Sequence, residues 1–130
     1  MQSIAHNAKS RLINEFFERD TNQLQKDYPS ILESNVPKKT FLYRQGDRCS
    51  DLYWIKSGIV KLSHLTEQGS EITIDLLRRG DIIGCFQNNS ADQEIKETAQ
   101  ALGEVDYYRI AYGDFKAMMS HQAELAWYVI

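Results

Sequence analysis

From Lys39 onward, apolar and polar residues alternate with a period of two, whereas the first 35 residues follow helical spacing. In Glu71-Ile72-Thr73-Ile74-Asp75-Leu76 the alternation is strict, which turns Ile72, Ile74 and Leu76 toward a core and Glu71, Thr73 and Asp75 toward water. Val60 and Leu62 repeat the pattern one strand earlier. Thr98 to Leu102 and Val105 to Ile110 are two further predicted strands, joined through Gly103-Glu104 as a short hairpin turn. Glycines at 46, 58, 69, 80 and 84 punctuate runs such as DLYWIKSG, IVKLSHLT and SEITIDLL. Turn signals every 11 or 12 residues between β-branched, aromatic segments predict an all-β sandwich, barrel or roll.

Leu12, Ile13, Phe16 and Phe17 share one face of a helix over residues 8 to 19, while Arg11, Glu15, Glu18 and Arg19 point away. Such a face is expected to pack on the core as a lid. Asp20 or Thr21 caps a shorter helix through Lys26, and Pro29-Ser30 opens a last helical turn from Ile31 to Ser34 before Pro37 ends helix. After the strands, Gly113-Asp114 closes the sheet, and Asp114 caps a helix carrying Phe115, Met118 and Met119. A further helical run, Ala123 to Ile130, bears the stripe Leu125, Tyr128 and Val129 and meets no C-cap signal. It reads as a helix cut short. The predicted organisation is therefore residues 1–35 as a helical segment, 36–112 as a β-roll, and 113–130 as C-terminal helices.

Composition narrows the function classes. At 130 residues and 15.0 kDa the chain suits one domain. Fifteen basic against 18 acidic side chains, with a pI near 5.6, give no field that draws the chain to polyanions. Direct nucleic-acid binding by this segment is not expected. Cys49 and Cys85 are 36 residues apart with no CxxC pair, which suggests two free thiols rather than a disulfide framework or a zinc site. No stretch approaches a membrane span and the N-terminus has no signal-peptide core, so a cytoplasmic protein is expected. No metalloprotease, nucleophile-elbow or phosphate-loop motif is present, and no catalytic or metal-ligating residues are assigned.

The succession FLYRQGD, DLYWIKSGIVKL, EQGSEITIDLLRRGDIIG and ETAQAL resembles the effector-binding domain of the CRP/FNR superfamily of transcription regulators, over residues 36 to 130. The resemblance implies a mainly β fold with flanking helices, a double-stranded β-helix or jelly-roll of the cyclic-nucleotide-binding type. It also implies a long helix that pairs two subunits as a homodimer, and a helix-turn-helix domain that binds DNA. On that reading the chain ends in the first turns of the dimerisation helix and the DNA-binding half is absent.

In cyclic-nucleotide binders of this family, a glycine-glutamate pair holds the ribose hydroxyl. An arginine about ten residues later neutralises the cyclic phosphate, a task suited to the guanidinium fork. Here the corresponding stretch opens Gly84-Cys85-Phe86, so the glycine is present and cysteine stands in the glutamate position. No arginine lies between Arg79 and Arg109; Lys96 is the one base in that interval. From 81 to 106, six carboxylates oppose that lysine, a local sum of −5 that is unfavourable for a buried phosphodiester. These residues argue against cyclic AMP as the effector. The candidate ligand-binding set is Gly84, Cys85, Phe86, Lys96, Glu97, Thr98 and Arg109, with Lys96 and the Thr98 hydroxyl available to a phosphate or carboxylate.

Other cofactors fare worse. Cys85 sits beside the position of the haem thiolate in gas-sensing members, but the histidine available in the roll, His64, shares a face with Val60 and Leu62 and reads as a core or rim residue. Residues 1 to 48 contain no cysteine, which rules out an N-terminal iron–sulfur cluster of the redox branch. Cys85 between Gly84 and Phe86 lacks the cationic neighbours of a reactive thiol. The Lys38-Lys39 and Arg78-Arg79 pairs read as solvated turns. The expected function is thus a small-molecule sensing module with an unidentified effector. Two alternatives stand beside it: a ligand-free dimerisation or protein-interaction module, and a 2-oxoglutarate-type acid sensor using Lys96 or Arg109.

Overall fold

A computed structural model of the chain describes residues 2–3, 15–18, 21–48, 50–84 and 94–120. The strands are β1 (Gln2–Ser3), β2 (Leu32–Val36), β3 (Phe41–Tyr43), β4 (Asp51–Ser57), β5 (Val60–Leu65), β6 (Glu71–Leu77), β7 (Ile82–Gly84), β8 (Thr98–Ala101) and β9 (Val105–Ala111). Helices α1 (Thr21–Asp27) and α2 (Tyr112–Ser120) flank them. One sheet has the order β1-β7-β4-β9-β2 and the other β3-β8-β5-β6, with antiparallel pairing throughout the described strands. This is a jelly-roll: two sheets face each other and the chain crosses repeatedly between them.

The central strands are buried on both sides, which explains why DLYWI is almost continuously apolar. Leu52 and Trp54 of β4, with Tyr108 and Ile110 of β9, meet Phe16, Phe17, Leu24, Ile31 and Phe115 on the helical side. Phe17, Trp54 and Tyr108 stack with ring centroids 5.4, 5.8 and 6.0 Å apart, so the amphipathic lid expected from Phe16 and Phe17 is in place over residues 15–18. The rest of that predicted helix, 8–14 and 19, lies outside the described residues, as does 121–130 with Leu125, Tyr128 and Val129. Tyr53, Ile55, Val60, Leu62, Leu77, Ile83, Val105 and Tyr107 form the second core, between the sheets. Arg79 ties lid to roll: its guanidinium donates to Glu18 at 2.7 Å and to the Lys56 carbonyl at 3.0 Å.

Four expectations are corrected. Residues 32–36 are a strand, not a helical turn, because β2 pairs along its length with β9 from Leu32↔Arg109 to Val36↔Val105. β8 and β9 are not a hairpin; they belong to different sheets, and Gly103-Glu104 makes the corner between them. Helix α2 begins at Tyr112 rather than after a capping Asp114, since the Tyr112 N–H donates to Ser50 at 2.9 Å and so is satisfied by the neighbouring strand end. Finally, Ile72, Ile74 and Leu76 do not face a core. The partner of Leu62 is Asp75 and that of Ser63 is Thr73, so Ile74 is an extra residue in a bulge. Leu76 then lies opposite Lys61 and Ile72 opposite His64, three residues apart on β5, which puts the two on opposite faces. As an edge strand, β6 leaves all three exposed: 52% for Ile72, 51% for Ile74 and 43% for Leu76.

Candidate functional site

The turn after β3 is zipped to the segment that leads into β8. Gly46 N–H donates to the Ile95 carbonyl, Ile95 N–H to the Asp47 carbonyl, and Arg48 pairs with Glu94 through backbone in an isolated antiparallel β-bridge. Gln45 extends this zipper to β5, since its side-chain amide donates to the Leu65 carbonyl at 3.2 Å and accepts from the Leu65 N–H at 2.8 Å. The side chain thus stands in for a strand backbone. Between these elements lies an open groove of about 490 Å³ lined by Gln45, Gly46, His64, Leu65, Glu67, Glu94, Ile95 and Lys96. His64 Nδ1–H donates to the Lys96 carbonyl at 3.1 Å, leaving Nε2 as the acceptor in the neutral ring. His64 is therefore a rim residue held by backbone, as its alternation with Val60 and Leu62 suggests.

A second polar group lies between the sheets. Tyr43, Tyr53 and Tyr107 form a row with centroids 5.5 and 5.6 Å apart and rings inclined by 45° and 62°. Burial, then the nearby Glu97 carboxylate, then Tyr53 raise the Tyr43 phenol well above its ordinary range. Burial, then Asp51, push the Tyr53 phenol up to about 12, with Arg109 opposing the shift through its charge and a hydrogen bond. Arg109 itself reaches Asp51 at 3.8 Å. Glu97 is buried, the last residue before β8.

The seven sequence candidates therefore separate. Lys96 is exposed on the rim groove, and Arg109 is engaged with Asp51 and Tyr53 on the opposite sheet. The Thr98 hydroxyl is committed to structure, accepting the Gln45 N–H at 2.9 Å. Glu97 faces Tyr43 rather than solvent. Gly84 ends β7 at φ 119°, and a Cβ there would lie 2.3 Å from the Asp51 carbonyl oxygen; close strand approach is enough to require glycine. Cys85 and Phe86 lie outside the described residues. The sequence reading missed Tyr43, Tyr53 and Gln45. Tyr43 and Gln45 sit in FLYRQGD, and a tyrosine in a short strand with only one side facing solvent was the available signal. Among the described residues, no three His, Cys, Asp or Glu side chains are placed to hold a metal ion, and no helix is long and apolar enough to cross a membrane.

Two antiparallel sheets rolled over a shared interior, with a helical lid and a helix following the last strand, define an effector-domain jelly-roll. Residues 33–122 match the profile of the cyclic nucleotide-binding domain, and the chain belongs to that family. It is 31% identical over 70 residues to the anaerobic regulatory protein of Bacillus subtilis, covering 50% of this chain and 29% of that one. It is 30% identical over 91 residues to the cAMP-activated global transcriptional regulator Vfr of Pseudomonas aeruginosa, covering 68% and 42%. The sensor domain of the transcriptional regulator DNR from Pseudomonas aeruginosa shares the fold with a TM-score of 0.69 at 21% identity, over 90% of this chain and 83% of that one. The resemblance to CRP/FNR-type transcription regulators thus stands, and the chain spans less than half the length of the two curated relatives.

Proposed function

We propose that this chain is the effector-sensing part of a CRP/FNR-type transcription regulator whose effector is not cyclic AMP, acting within a longer, dimeric protein that binds DNA through a helix-turn-helix domain. The observation that carries the reading is the pairing of a cyclic-nucleotide-binding jelly-roll with a cassette that lacks its acid and base: Cys85 follows Gly84, and no arginine lies between Gly84 and Arg109. A nucleotide phosphate buried near Glu97 would meet like charge, and the stretch 84–108 supplies no guanidinium to offset it. An effector regulates by binding one arrangement of roll and following helix better than another, which shifts their populations.

The test is a melting series with saturating cyclic AMP, cyclic GMP, 2-oxoglutarate and haem, because a ligand that binds only the native state raises the midpoint. The reading expects no shift with either nucleotide. A saturable rise with cyclic AMP would overturn it. The ligand-free interaction module remains as a second reading because the edge strand β6 leaves Ile72, Ile74 and Leu76 exposed, an apolar edge open to a protein partner. The acid-sensor alternative has weaker support, since Lys96 and Arg109 belong to different environments and Arg109 already has a carboxylate.

A further inference from the structure

A buried hydroxyl that makes no hydrogen bond is costly, and a native fold that keeps one invites a reason. The Tyr43 hydroxyl is such a group: the residue is 5% exposed and the oxygen has no partner among the described residues. Strand pairing sets Tyr43 opposite Ala99, which brings it near Glu97, itself only 7% exposed, and the Glu97 charge acts on the phenol. Tyr53 and Tyr107 continue the row at inclined angles rather than stacking flat. Inclined tyrosine faces beside a buried carboxylate are the chemistry that holds an organic ammonium. The ring quadrupoles attract the cation, the carboxylate balances its charge, and a phenol oxygen accepts an N–H. The neighbouring cation, Arg109, already has the Asp51 carboxylate at 3.8 Å. The polarity is opposite to what a phosphate requires.

We propose that Tyr43, Tyr53, Tyr107 and Glu97 form a subsite for the ammonium group of an amine-bearing effector. The proposal rests on the effector-sensing reading above and deepens it by naming the ligand class. On this account the open valence of Tyr43 is retained because the ligand's N–H fills it.

The experiment titrates the protein with ethylammonium chloride, using sodium chloride and sodium phosphate at equal ionic strength as controls, and follows backbone amide NMR shifts and the melting midpoint. Saturable ethylammonium shifts centred on residues 43, 53, 97 and 107 are expected. Tyr43→Phe, which removes a hydroxyl but no ring volume, should weaken that binding by about tenfold, the loss of one hydrogen bond to a charged group. The same variant should melt a few degrees higher without ligand. Glu97→Gln should weaken binding at least as much, and if it does not fold, Tyr43→Phe carries the test alone. Ethylammonium shifts that are absent, that lie elsewhere, or that persist unchanged in Tyr43→Phe overturn the subsite, as do phosphate shifts at these residues. A parallel titration with cyclic AMP and 2-oxoglutarate separates the two claims. Binding of 2-oxoglutarate without ethylammonium leaves the sensor reading standing and removes the subsite, whereas saturable binding of cyclic AMP overturns the reading on which the subsite rests.

Discussion

Replacing Gly84 by alanine, with Gly46→Ala as its partner experiment, separates a structural glycine from a ligand-binding one. Both residues have positive φ, 119° at Gly84 and 95° at Gly46, so an alanine at either pays for a left-handed backbone, roughly 1–2 kcal/mol. Their surroundings differ. At Gly46 a Cβ meets nothing within 4 Å, whereas at Gly84 it falls 2.3 Å from the Asp51 carbonyl oxygen and 3.0 Å from the Leu52 Cα. Those are backbone atoms of β4, paired with β7 and also with β9, and they cannot swing aside as a side chain end does. Forcing the strands apart adds an overpacking cost of about 1–3 kcal/mol. Urea unfolding followed by the fluorescence of buried Trp54 should therefore place Gly84→Ala about 1–3 kcal/mol below Gly46→Ala. Equal losses for the two variants would refute the close-approach argument and return Gly84 to the ligand-binding set.

Other outcomes follow from the same contacts. Tyr108→Phe removes the 2.6 Å hydrogen bond to Thr21 Oγ1 while Lys56 Nζ still reaches that oxygen, so urea unfolding should show a loss of only about 1 kcal/mol. For Tyr53, a folded pKa of about 12 against an ordinary 10.0 means the unfolded chain loses the proton first; its stabilising contribution is whole below pH 10 and is lost as pH rises toward 12. Tyr53→Phe should flatten that alkaline decline in a pH series of unfolding midpoints, and an unchanged slope would count against it. Ile72→Ser and Leu76→Ser, at exposed edge positions, should each change stability by no more than about 0.5 kcal/mol in thermal unfolding. A larger loss would mean these side chains are covered in the folded protein.

Much of the roll was legible because its signals are local. Positive φ at Gly46, Gly58, Gly69, Gly80 and Gly84 matches the turn rhythm, and the double-sided burial of β4 is visible in DLYWI. Sheet membership was not legible, since whether Gly103-Glu104 closes a hairpin or turns a corner depends on which distant strands claim β8 and β9. The bulge at Ile74 was hidden for a related reason: strict alternation in EITIDL predicts one buried face only when every residue has a partner on β5. Ile31 to Ser34 read as a helical turn because the pairing of β2 with β9 spans about seventy residues of chain. At the site, charge counting drew attention to the acidic stretch around Glu97, but the tyrosine row comes from three strands in two sheets and leaves no spacing to read.

The central claim is that this cyclic-nucleotide-binding jelly-roll does not take cyclic AMP. Isothermal titration of the purified chain with cyclic AMP at pH 7 tests it most directly. The account predicts heats no larger than dilution at millimolar ligand; a saturable isotherm with one site per chain would contradict it.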